Sequence, residues 1–310
     1  MFRKLKGIVL IKNTGMLLGI CMGLVASLIW GSWPVISKLA QTQNITSVEI
    51  TILRFGISGL ILLPVLFIHS ISLRSLCTKG VALAVGAGMP YVLLAMNGIS
   101  LSSSAHFGII APSSMLVFST LGSIYLLSEK LTRQRLVGVS MIVLGVFIVG
   151  WHSFALMNHQ VLMGDLMFVG CGALWAMFTL LGKYWKLNSW VATAMVSVVS
   201  GVLCFPLYGL SNEPIFVDMS ITTFLAHGLF QGVLVAILAL YSYSTSVSIL
   251  GAAKGAVFAA LVPPIAICLG VLILNEIVTW VEVTGITCVF LGMMFALGLI
   301  VFPSKVKISH

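Results

Sequence analysis

Three basic side chains in this sequence fall within apolar stretches: Lys38, Arg54 and Lys254. A charge at the centre of a membrane helix costs about 2.5–3.5 kcal/mol on insertion scales and less near the ends. Each therefore needs a partner, a cavity or a short reach to water. Lys38 closes its stretch and is placed to snorkel to the headgroups. Glu49 precedes Arg54 by five residues and is its nearest carboxylate in sequence. Lys254 has no acidic neighbour and is a candidate to line a cavity, where it would bind an anionic group or gate. His106, well inside its stretch, titrates near neutral pH and is a candidate proton carrier. Bond-making chemistry has no comparable signal. The seven acidic residues are dispersed, with no paired carboxylates, histidine cluster or Ser-His-Asp set, so no catalytic residue is assigned. The six cysteines are scattered without a C-x-x-C pair, which gives no metal site or disulfide framework. No cofactor is implied. The chemistry on offer is binding and proton transfer.

These residues sit in a chain of 310 residues of which 7% are charged and 60% hydrophobic, with a mean hydropathy of +1.17. Soluble domains carry about 25% charged residues. A soluble enzyme, a disulfide scaffold and a disordered chain are excluded, and the long unbroken apolar runs argue against a membrane β-barrel. About 20 apolar residues span a bilayer as a helix. Ten such segments occur, near 16–38, 50–69, 80–99, 103–127, 136–156, 164–185, 190–210, 222–246, 250–274 and 279–302. The fold class expected is an all-α integral membrane protein of ten transmembrane helices.

Net charge is +9, and 13 of the 16 basic residues lie before helix 1, in the 2–3, 4–5 and 6–7 loops, and after helix 10. The alternate loops hold Glu213 and Asp218 and no Lys or Arg. This positive-inside pattern places both termini in the cytoplasm, and it accounts for the basic excess without nucleic acid.

Glu129, Thr132, Gly138, Leu144 and Gly145 recur 147 residues later as Glu276, Thr279, Gly285, Leu291 and Gly292. Trp30 and Lys38 recur as Trp175 and Lys183, 145 residues later. The chain is therefore a duplication: a segment 1–15, a first five-helix repeat 16–156, a second 164–302, and a tail 303–310. Five crossings leave the second repeat upside down. In agreement, Lys130, Arg133 and Arg135 of the 4–5 loop become Ile277, Trp280 and Glu282 in the 9–10 loop. Inverted repeats are the architecture of secondary transporters, whose halves exchange roles around one central site.

Trp30-Gly31-Ser32 with Lys38, Arg54 early in helix 2, Gly164-Asp165 ahead of Trp175, and Pro263, Glu276, Gly285 and Gly292 across helices 9 and 10 together resemble the drug/metabolite transporter superfamily, in its EamA branch of ten-helix exporters and permeases. The resemblance covers essentially the whole chain. It implies transport of small metabolites, amino acids or drugs, usually outward and without ATP. One departure is that the proline standing thirteen residues before the helix-ending Glu is present at Pro263, whereas helix 4 has Leu116 there and Pro112 one turn earlier.

Candidate cavity residues are Trp30, Tyr91, Asn97, His106, Ser113, Trp175, Gln231, Tyr243 and Lys254. Candidate gating positions are Ser103 and Ser248 in the small-residue 3–4 and 8–9 turns, with Pro112 and Pro263 at helix interruptions. Helix 1 lacks the central carboxylate with which small multidrug pumps of the superfamily bind cations, so a neutral or zwitterionic small molecule is the preferred substrate. The partners expected are that substrate, membrane lipid and, as a candidate coupling ion, the proton. The reading is a secondary transporter, an exporter in a bacterial inner membrane. The competing readings are a membrane enzyme on lipid-linked substrates and a sensory receptor built on Lys254.

Overall fold

The computed structural model describes residues 2–128, 131–155, 158–210, 216, 217, 219–250, 258 and 260–298. These form ten helical segments: α1 (Phe2–Thr42), α2 (Ser47–Ile68), α3 (Leu73–Leu101), α4 (Ser104–Leu127), α5 (Arg133–Ala155), α6 (His159–Tyr184), α7 (Ser189–Leu210), α8 (Ile221–Leu250), α9 (Val262–Leu274) and α10 (Trp280–Ala296). No strand occurs among the described residues. Eight helices are long and apolar enough to cross a membrane, and α9 and α10 are shorter apolar helices.

Several bounds differ from the hydropathy reading. Helix α1 begins near the chain start rather than at 16, because basic residues are good helix formers and no proline precedes Pro34. Helix α6 begins at His159 rather than 164, since the Asn158 side chain caps it by accepting from the Val161 amide. That moves Asp165 from the mouth of the helix to its second turn, where it is buried. Helix α3 starts at Leu73 and is interrupted at Gly88, whose ψ of −142° breaks the helix before Met89-Pro90. A Cβ at Gly88 would lie 2.1 Å from Ser200 Oγ. That hydroxyl instead accepts from the Met89 amide. The counterpart α8 is distorted at a similar depth, with a π-helical stretch over Gly228–Leu238.

Packing follows the duplication. Counterpart helices pair with each other, α2 against α7 and α5 against α10. The cross pairs come in matched sets, α4 on α6 with α9 on α1, and α3 on α6 with α8 on α1. The repeat glycines meet at the α5–α10 seam, where a Cβ on Gly145 would lie 2.6 Å from the Gly285 carbonyl and one on Gly138 2.7 Å from the Gly292 carbonyl. Helices α4 and α9 end on left-handed caps at Ser128 and Asn275, again 147 residues apart. Glycine spacing in α1 and α8 serves the bundle, as Gly23 lies against Phe258 and Gly232 against Ile57.

Candidate functional site

Arg54 lies two turns into α2 and is 6% exposed. Glu49 does not pair with it. Five residues along a helix rotate side chains well apart, and Glu49 is occupied in a capping box with Thr46 and by the Phe216 amide at 2.7 Å. The Arg54 guanidinium stands instead over the Trp33 ring at 5.4 Å and near the Phe55 ring at 5.7 Å. Its Nε is buried without a hydrogen-bond partner. A guanidinium offers five donors and accepts nothing, and an unpaired cation at this depth is costly.

Around it is a small aromatic cavity of about 60 Å³, with Trp30, Phe55, Trp175, Phe178 and Ser197 among its walls. Tyr91, directly after the break in α3, packs against Trp175 with ring centroids 4.9 Å apart, and Tyr243 of α8 against Trp30 at 5.5 Å, both pairs tilted. Each tryptophan of the repeat thus meets a tyrosine of the distorted helix beside it. Irregular backbone at membrane depth is tolerated where it is enclosed by protein or lines a cavity. The space holds a few waters at most.

The other candidate residues scatter. Gln231 is fully buried but spent on structure, accepting from Trp33 Nε1 at 2.8 Å and donating to Ser37 Oγ at 3.3 Å, which ties α8 to α1. Asn97 faces outward and accepts from Ser47 Oγ. Ser113 turns its hydroxyl back to the Ile109 carbonyl, the ordinary fate of serine inside a helix. Ser103 is the N-cap of α4, accepting from the His106 amide, and Ser248 is exposed and donates to the Thr245 carbonyl. Pro112 lies within α4 and Pro263 in the first turn of α9. Lys254 lies outside the described residues.

Lys38 does not snorkel. Its Nζ donates to the Ile99 and Ser102 carbonyls at the end of α3, where a cation meets the negative end of a helix. Glu276 reaches from the loop before α10 to cap α4, accepting from the Ser104 and Ala105 amides. His106 is away from the aromatic cavity, held between Asp165 of α6 and Glu282 of α10. Sequence reasoning passed over Trp33, Phe178, Asp165 and Glu282. The Gly88-Met89-Pro90 run was the legible pointer to the cavity. Nothing local announces the carboxylates' partner.

The family model of the EamA-like transporter family matches residues 17–151 and again 162–298, one copy per repeat. An uncharacterized transporter, YetK, of Bacillus subtilis (strain 168) is 27% identical over 301 residues, covering 94% of this chain and 89% of that protein. A crystal structure at 17% identity shares the fold, with a TM-score of 0.62, over 91% of this chain and 97% of the other. With both repeats matched and ten helices packed as two related halves, this multi-pass membrane protein belongs to the EamA-like transporter family.

Proposed function

We propose that the chain is a secondary active transporter that exports small metabolites bearing a carboxylate, amino acids and related compounds among them, by alternating access. The observation that supports this is Arg54, buried, unpaired and facing aromatic rings where α1, α2, α6, α7 and α8 meet. A guanidinium binds a carboxylate bidentately, and does so strongly in low dielectric. Trp30 and Trp175 offer faces for the rest of the molecule. No Asp or Glu is among the cavity walls, so a permanent cation lacks a partner there, while a zwitterion brings its own. The two repeats close over the site from opposite sides, with the 3–4 and 8–9 hairpins as their moving parts. Outward direction follows the resemblance to exporters. The charge bias supports an orientation in a bacterial inner membrane with both termini in the cytoplasm and the turns before α2, α4 and α6 facing out.

Counterflow in proteoliposomes tests the reading, with matched solutes differing only in a free carboxylate, its carboxamide or its decarboxylated amine. The carboxylates should exchange, and the amides and amines should not. Exchange of amines with inert carboxylates would refute it. Orientation is checked in cells with single cysteines at the exposed positions Gln160 and Thr78. Gln160→Cys should label with an impermeant maleimide from outside, and Thr78→Cys only after permeabilisation.

A further inference from the structure

The aromatic cavity leaves a second polar assembly unexplained. His106, in the first turn of α4, is 6% exposed. Its Nδ1 lies 2.8 Å from Asp165 Oδ1 and its Nε2 3.0 Å from Glu282 Oε1. Asp165 Oδ1 also accepts from Ser102 Oγ at 2.9 Å, and its Oδ2 is buried without a partner. The position of Glu282 is fixed from behind, because its Oε2 accepts from the Thr279 amide and hydroxyl at the start of α10. One side chain from the first repeat thus bridges two helices of the second.

A neutral imidazole carries one N–H and one lone pair, and an ionised carboxylate only accepts. Both contacts form together only when an extra proton is present, on the ring or on one carboxylate. Without it a lone pair faces a carboxylate at hydrogen-bond distance, away from water, and one of the two contacts must open.

We infer that His106, Asp165 and Glu282 form a proton-binding site which, when occupied, latches the first repeat to the second at the end of the bundle away from the chain termini. The claim that this end faces outside rests on the orientation proposed above. The latch itself does not.

Other charged groups nearby are already engaged. Glu276 caps α4 with both carboxylate oxygens, and Lys38 of α1 is bound to the α3 carbonyls. His159 at the start of α6 is exposed. The described part of α9 and the last turns of α3 carry no charged side chain. On α5, the side chain of His152 is outside the described residues. A pocket of about 370 Å³, with Ser103, His106, Asn158, Glu276 and Glu282 on its walls, reaches the assembly. The Glu282 side chain is 14% exposed, against 7% for His106 and 5% for Asp165. The proton therefore leaves His106 Nε2 through Glu282 to water in the pocket and returns by the same route. One proton is released each time the latch opens.

The test needs no substrate. In the full-length purified protein, with the native cysteines replaced, Ile109→Cys places a thiol one turn below His106 at a position 1% exposed on the pocket wall. Its alkylation rate is divided by that of an exposed Gln160→Cys reference, which removes the thiolate dependence of an ordinary thiol, and His106→Gln carrying the same Ile109→Cys reads what burial adds. Between about pH 5 and about pH 10 the normalised rate should rise once, by at least tenfold, as the imidazole gives up its proton. His106→Gln should react fast at every pH. Glu282→Gln should abolish the step and keep the thiol slow at every pH, since its oxygen still serves the capping box while its amide N–H donates to the lone pair of a neutral imidazole, so that both contacts form without the extra proton. A flat profile with His106 present, or an unchanged step in His106→Gln, overturns the proposal. If His106→Gln does not purify as a single species, a step retained in Glu282→Gln overturns it instead. Failure here leaves carboxylate counterflow untouched, and failure of counterflow leaves this titration standing.

Discussion

Arg54→Met should abolish carboxylate counterflow while raising the melting temperature of the substrate-free protein. The two effects have one cause. Arg54 is buried with its Nε unpartnered and with aromatic rings, not carboxylates, as its neighbours. Burying an unpaired charge is destabilising, and an apolar residue of similar volume removes that cost. In a chain of 310 residues a gain of one or two kcal/mol corresponds to a rise of roughly 1.5–3 °C. A bound carboxylate supplies the missing partner, so the same substitution should lower transport at least about a hundred-fold. Arg54→Lys should not rescue it, because an ammonium cannot present the paired donors of a guanidinium. A structural arginine would give the reverse pattern, with transport lost only along with the fold. Counterflow above about a tenth of wild type in Arg54→Met would remove Arg54 from the site.

The second large effect is on assembly of the two halves. Gly145→Leu should prevent recovery of a monodisperse protein, or lower its melting temperature by more than about 5 °C for a loss above about 3 kcal/mol. The atoms that a Cβ on Gly145 would meet include the Gly285 carbonyl oxygen at 2.6 Å and the Val289 amide nitrogen at 2.8 Å. Backbone cannot yield as a flexible side chain can, so α5 and α10 must separate. Gly150→Leu, five residues further along α5, is the control. A Cβ there meets nothing within 4 Å, and stability should be nearly unchanged. Equal losses in both variants would mean that the seam does not hold the repeats together.

These glycines also show how far the sequence could be read. Gly138, Gly145, Gly285 and Gly292 stood out as repeat positions because a duplicated chain keeps what its symmetric contact needs, and in the fold they meet each other across the seam. The long apolar runs were as plain, since a bilayer demands them. The polar contacts were not, because each joins residues far apart in the chain. Asp165 read as a helix-opening residue until the cap at Asn158 moved the start of α6 back and buried it. Glu282 read as one of the substitutions that made the 9–10 loop less basic, yet one of its oxygens holds the helix cap while the other faces His106, 176 residues away. Arg54 and Glu49 looked like a pair by separation alone, but helical geometry sends them to different partners. Asn97, Ser113 and Gln231 were polar residues in apolar helices for local or packing reasons. The break in α3 was written in Gly88-Met89-Pro90, where a flexible residue precedes one that lacks an amide hydrogen.

Alternating access, as proposed, requires one site between the repeats to be reached from each side in turn. Ser197 lies on the cavity wall and is 2% exposed. Ser197→Cys changes one atom. With the native cysteines removed, the thiol is exposed to an impermeant maleimide, in right-side-out and in inside-out membrane vesicles. Labelling is expected in both preparations, slowed in both by a transported carboxylate, with no leak of a small dye through the vesicle wall. Labelling from one side only, with or without solute, would contradict it.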